Sequence, residues 1–109
     1  MRIKQRVDLR GLQPQMVLAL IAADRVFACA THEMTVTSCT DGKHGPRSLH
    51  PSGNAVDIRT VRAGIDKGEA TFLAHKIRAV LNDQFDVVVE EDHLHIEFDP
   101  KNPTKPGTV

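Results

Sequence analysis

Ser48-Leu49-His50-Pro51-Ser52-Gly53-Asn54-Ala55-Val56-Asp57 is the stretch on which the reading of this chain turns. It sets His50 and Asp57 seven residues apart, with Pro51 and Gly53 between them. Proline restricts its own φ and glycine is free to adopt the left-handed region, so a sharp bend is expected here. After the bend, Ala55-Val56-Asp57-Ile58 reads as a short strand. Alternation directs Ala55 and Asp57 to one face and Val56 and Ile58 to the other. A carboxylate held against the body of a protein is costly unless something positive meets it. Near the C-terminus, Asp92-His93-Leu94-His95 supplies candidate partners. Histidines and aspartates converging from two segments make a composition suited to zinc.

Working outward, residues 1–11 are polar and irregular, a packing arm or short strand. A first helix is expected from about Leu12, with Pro14 in the first turn, where a missing N–H costs nothing. Met16, Leu20 and Phe27 form its stripe, with Val17 and Ile21 beside it. Met34 to Ser38 reads as a strand on its β-branched content. Cys39 to Arg47 is a loop, and Val56 to Arg59 a strand. After a connection over residues 60–67, Gly68 precedes a second helix over about Glu69 to Asn82. Its apolar face is expected at Leu73, Ile77, Val80 and Leu81. Phe85 to Glu90 and His93 to Phe98 pair as a hairpin through Glu91-Asp92. Along the second strand, His93, His95 and Glu97 share one face and Leu94, Ile96 and Phe98 the other. The tail over residues 99–109 carries Pro100, Pro103 and Pro106. His32 and His75 read as surface residues.

The 109 residues suit one domain. Lys plus Arg and Asp plus Glu each number 14, so the formal net charge is zero. That argues against nucleic-acid binding by phosphate neutralisation. With four Phe and no Trp or Tyr, the chain also lacks the aromatics of a base-stacking platform. Cys29 and Cys39 read as free thiols rather than a disulfide framework. The basic start, Met1 to Arg6, is not followed by the apolar run of a signal peptide, because Asp8, Arg10 and Gly11 intervene. No stretch is long enough to span a bilayer. Cytoplasmic synthesis without a signal peptide, no membrane insertion and a monomeric state are therefore the expectations.

The pattern Ser48-x-His50-x-x-Gly53-x-Ala55-x-Asp57, followed by Asp92-His93-x-His95, resembles the zinc D-alanyl-D-alanine carboxypeptidases and L-alanyl-D-glutamate endopeptidases. The resemblance implies an α+β fold of the Hedgehog/DD-peptidase type, a small antiparallel sheet with two main helices packed on it. It implies one zinc peptidase domain over residues 1–109, with 1–11 and 99–109 as peripheral arms. His50, Asp57 and His95 would then hold one Zn²⁺. The implied substrate is a peptidoglycan stem peptide, cut between L-Ala and D-Glu or at D-Ala-D-Ala. The short chain is similar to compact phage-type members, which implies action at the cell wall after release or from a virion.

Such chemistry needs a carboxylate to accept a proton from water and return it to the leaving amine. Spacing alone leaves two pairings open, Glu90 with His93 as ligand or Asp92 with His95. The resemblance selects Asp92 as base, His93 as stabiliser of the carbonyl or intermediate, and His95 as ligand, with Glu90 and Glu91 as lesser candidates. Where the family carries a substrate-binding Arg after the preceding strand, this chain has Thr40 and Asp41. Lys43 and Arg47 are the candidates to replace it, the alternative for each being a solvated basic loop, and Ser48 is a hydrogen-bonding support rather than a nucleophile. The competing reading is a non-catalytic zinc-binding module of the same fold. A phosphoesterase built on paired His motifs is disfavoured, since neither His50-Pro51-Ser52 nor His93-Leu94-His95 forms such a pair.

Overall fold

The computed structural model describes residues 1–40 and 53–100. In chain order these form β1 (Arg2–Ile3), α1 (Pro14–Cys29), β2 (Thr35–Ser38), β3 (Ala55–Arg59), a short 3-10 turn (Val61–Ala63), α2 (Lys67–Val80), β4 (Phe85–Val89) and β5 (His93–Phe98). The architecture is α+β. The strands make one five-stranded sheet in the order β1-β2-β3-β5-β4. Its interior pairings are antiparallel, but β1 runs parallel to β2, with Arg2 beside Thr35 and Ile3 beside Val36. The sheet is therefore mixed rather than purely antiparallel, because the N-terminal arm joins its edge instead of remaining irregular.

The two faces of the sheet differ in chemistry as strand alternation requires. Val36, Val56, Ile58, Val87, Leu94 and Ile96 point into the core, where they meet Met16, Ala19, Leu20, Ala23 and Phe27 of α1 and Leu73, Ala74 and Ile77 of α2. Phe85 and Phe98, at the far end of the β4–β5 hairpin, pack with ring centroids 5.1 Å apart and planes tilted by 57°. Full burial of a core side chain such as Phe27, Leu94 or Ile96 stabilises the fold by about 1.5–3 kcal/mol, whereas Phe85 and Phe98 are only partly buried.

Helix boundaries follow local chemistry. Pro14 opens α1. Asp66 caps α2, its carboxylate accepting from the Glu69 backbone N–H at 2.8 Å. That cap draws the helix start back to Lys67, so Gly68 lies within the first turn rather than before it. The helix ends at Val80, short of Asn82. Val80 is 63 % exposed, and Val17 and Ile21 of α1 are also exposed. Each lies outside the stripe its helix buries, so the apolar faces are narrower than their sequences suggest. His32 is not a plain surface residue: its Nε2 meets Glu69 Oε2 at 2.8 Å, joining the end of α1 to the start of α2. Among the described residues no helix is long and apolar enough to cross a membrane. Neither cysteine is in a disulfide, Cys29 being exposed and Cys39 buried.

Candidate active site

The polar face of the sheet carries the candidate chemistry. In the β3–β5 pairing, Asp57 lies directly opposite His95, and Arg59 opposite His93. Directly paired residues on one face of antiparallel strands have side chains within contact distance. Accordingly His95 Nδ1 and Asp57 Oδ1 are 2.8 Å apart, and His95 Nε2 lies 2.9 Å from Glu97 Oε1. His95 is thus held between two carboxylates. The hydrogen bond to Asp57 raises its pKa above the ordinary histidine value, against an opposing effect of burial. His93 stands one alternation further along, its Nε2 3.7 Å from Asp57 Oδ1 and its Nδ1 2.7 Å from Asp92 Oδ1. The bond from His93 holds the Asp92 carboxyl below the usual carboxylate range, and the nearby Arg62 charge acts in the same direction.

Two local features place these groups. Glu91 and Asp92 form the tight connection between β4 and β5, closed by the Glu90 N–H donating to the His93 carbonyl at 2.9 Å. The backbone N–H of buried Thr60 donates to the Asp92 carbonyl at 3.2 Å, tying this hairpin end to the exit of β3. On the other side, β2 pairs with β3 through a register shift between Val36 and Ser38. Bulges of this kind re-aim side chains. Here Thr37 and Ser38 both line the same cleft as Asp57, Asp92 and His93. That cleft, about 460 Å³, is completed by Lys4, Arg59 and Arg62.

Entry to β3 depends on Gly53. Its φ is +79°, and a Cβ there would sit 2.0 Å from the Gly11 carbonyl oxygen. The Gly53 carbonyl also accepts from the Gln13 N–H at 3.0 Å. The bend before Asp57 is therefore packed against the backbone that leads into α1.

Of the residues singled out from sequence, Asp57, Asp92, His93 and His95 come together, with His95 reaching the group through Asp57 rather than through the cleft wall. His50, Ser48, Arg47 and Lys43 lie outside the described residues. Glu90 and Glu91 do not line the cleft. Sequence reasoning gave no role to Glu97, although its parity with His93 and His95 on β5 was a usable signal. Arg59 carried the same signal through its parity with Asp57. Lys4 and Arg62 carried none, because an edge strand and a 3-10 turn bring them in from positions remote or irregular in sequence.

A second group of ligating atoms is purely acidic. Asp86, Glu97 and Asp99 bring one oxygen each within 4.8 Å of one another and could hold a metal ion. An all-oxygen set suits a hard cation such as Ca²⁺ or Mg²⁺ better than zinc. The donor set around Asp57 differs in kind, an imidazole nitrogen paired with a carboxylate, which fits the mixed N/O ligation of zinc. A scan against protein-family models and a search of curated proteins return no match to this chain.

Proposed function

We propose that the protein is a zinc metallopeptidase acting on peptidoglycan stem peptides, with a Hedgehog/DD-peptidase-type fold. The observation that carries this reading is the strand register that pairs Asp57 with His95 while the adjoining hairpin end presents Asp92 and His93 in the cleft beside Asp57. Asp57 and His95 would hold the ion together with His50 of the Ser48-to-Asp57 motif. A zinc ion bound by such ligands supplies Lewis acidity and brings the pKa of water to about 7.

The chain's own groups supply the rest. Asp92, ionised near neutral pH, accepts a proton from the attacking water and returns it to the departing amine. His93, hydrogen-bonded to Asp92 through Nδ1, leaves Nε2 toward Asp57 and the cleft, where its ring would stabilise negative charge on the carbonyl oxygen. The Asp92–His93 bond also orients both groups. The peptide substrate and the roles of Asp92 and His93 come from the motif resemblance; zinc, a carboxylate base and a stabilising imidazole together support hydrolysis of an amide or ester without naming which.

The experiment is digestion of purified peptidoglycan with and without a chelator, then with added zinc, reading the released ends by mass spectrometry. New D-Glu amino termini identify an endopeptidase, and released D-Ala a carboxypeptidase. Loss on chelation and recovery with zinc is the expected result. One observation favours a second reading, a non-catalytic zinc-binding module. Thr40 stands where the family has its Arg, and its hydroxyl is committed to the Asp8 and Arg10 carbonyls at 2.8 and 3.0 Å. Stoichiometric zinc with no product from any wall preparation would decide for that module.

A further inference from the structure

The cleft beside Asp57 is rimmed by three cations from three separate elements. Lys4 follows β1, and its N–H donates to the Val36 carbonyl at 2.9 Å, which carries the parallel pairing one residue further and sets Lys4 at the level of Thr37. Arg59 ends β3 on the same face as Asp57, and Arg62 stands on the exposed 3-10 turn that follows. Among the described residues none of these three side chains is engaged in a hydrogen bond or ion pair. Arg10 forks onto Asp8, Arg2 meets Glu33, and Arg78 is bound to the Val87 carbonyl, whereas Arg6, Arg25 and Lys67 share the unengaged state but do not line the cleft.

Gathering unpaired like charges in a concave site is unfavourable for the free protein and focuses positive potential into the cleft. Counting Asp57 and Asp92 with them, the carboxylates and the three cations of the lining leave one positive charge in excess. That balance suits a ligand with a single carboxylate near an amide. It suits a phosphate-dense polyanion poorly, because the two aspartates repel additional negative charge. Arginine is also the side chain whose planar fork matches a carboxylate.

We propose that Arg59, Arg62 and Lys4 form the carboxylate-recognition rim of this cleft and hold the peptide ligand beside Asp92 and His93. The identity of the ligand as a peptide rests on the peptidase reading; the recognition of a carboxylate does not. The carboxylate has two sources in a stem peptide, the C-terminal α-carboxylate of a D-Ala-D-Ala end or the free α-carboxylate of the internal D-Glu, whose side-chain carboxyl is consumed in the onward amide bond.

The test uses the full chain with zinc present and three probes. N-acetyl-D-alanyl-D-alanine carries the α-carboxylate of a D-Ala-D-Ala end, N-acetyl-L-alanyl-D-glutamine the α-carboxylate of a D-Glu whose side chain is amidated, and N-acetyl-L-alanyl-D-glutamine α-amide neither. Dissociation constants are measured by calorimetry or NMR titration for the native protein, the Arg59→Gln/Arg62→Gln double variant, and Arg62→Gln alone. The exposed position of Arg62 makes its single variant the safe one for folding. One carboxylate probe should bind about tenfold to a hundredfold more tightly than the neutral probe, the ratio a charge-assisted hydrogen bond supports. The double variant should lose that advantage with zinc content unchanged, and Arg62→Gln should lose part of it. Whichever carboxylate is preferred names the source.

Equal affinity for the neutral probe, an advantage that survives the double replacement, or no measurable binding of either carboxylate overturns the proposal. Inorganic phosphate competing at lower concentration than both carboxylates overturns it as well, in favour of a phosphate site. Failure of the peptidase reading is separately visible. Arginine-dependent carboxylate binding without hydrolysis leaves the rim standing and removes the peptidase, whereas hydrolysis indifferent to these variants does the reverse.

Discussion

Asp92 is the residue on which the proposed chemistry depends most directly. Its side chain is 74 % exposed and its carboxyl is held low by His93, so it is an ionised proton acceptor across the neutral range. Asp92→Asn keeps the shape and removes the basicity. On the proposed reading, hydrolysis should fall by about a hundredfold to ten-thousandfold while zinc content stays the same, measured by product release and metal analysis on one preparation. Full activity in that variant would transfer the role to Glu90 or Glu91. Gly53 poses a structural question at the same scale. Any side chain there meets the Gly11 carbonyl and must also adopt a positive φ. The φ penalty alone is about 1–3 kcal/mol. Gly53→Ala should therefore lower the denaturant midpoint clearly, and an unchanged midpoint would mean that the approach to Gly11 is not maintained in solution.

At the scale of an element, the end of α1 shows where sequence and geometry disagree. Thr31 N–H donates to the Ala28 carbonyl and His32 N–H to the Phe27 carbonyl, both at 2.9 Å. This is the Schellman pattern of helix termination, which places its residue beyond the cap in the left-handed region. Thr31 accordingly has φ of 61°. A β-branched residue is poorly suited to that conformation, whereas glycine adopts it without steric cost. Thr31→Gly should stabilise the protein by roughly 1 kcal/mol, less the added chain entropy of glycine in the unfolded state. Chemical denaturation of the pair of proteins measures it. A destabilised variant would show that the Thr31 hydroxyl, 2.6 Å from the Ala30 carbonyl, contributes more than the strain costs.

For the molecule as a whole, acid sensitivity has an identifiable contributor outside the cleft lining. Asp8 is hydrogen-bonded through both oxygens to Arg10, and that pairing brings its carboxyl from 3.8 down to about 2. A folded-state pKa below the unfolded one gives stability that is present above the unfolded value and is lost as pH falls through the folded value. Native protein should exceed Asp8→Asn in melting temperature above about pH 4, and the two should converge as pH falls to about 2. The gain is small because the pair faces solvent. Curves that remain parallel across that window would exclude the pairing in solution. The same segment also fixes the end of β2, since the Asp8 carbonyl accepts from the Thr40 backbone N–H at 3.1 Å.

The residue order by itself was sufficient for the strands and helices that alternate cleanly. His93 to Phe98 matches β5 at both ends, because six consecutive residues divide into a polar and an apolar face without exception. The Asp57 and His95 parity was legible for the same reason. What the order of residues did not contain was the sheet's edge and the cleft's rim. Arg2 and Ile3 form a strand only because β2 offers them free hydrogen-bonding groups. The narrowing of each helix's buried stripe depends on how far the sheet reaches beneath it, which no periodicity encodes. Lys4, Arg59 and Arg62 share one cleft through a parallel edge pairing, a bulged register and a 3-10 turn. Local side-chain alternation is dictated by backbone geometry and can be read from sequence. The meeting of distant segments is set by tertiary pairing, and the folded molecule decides it.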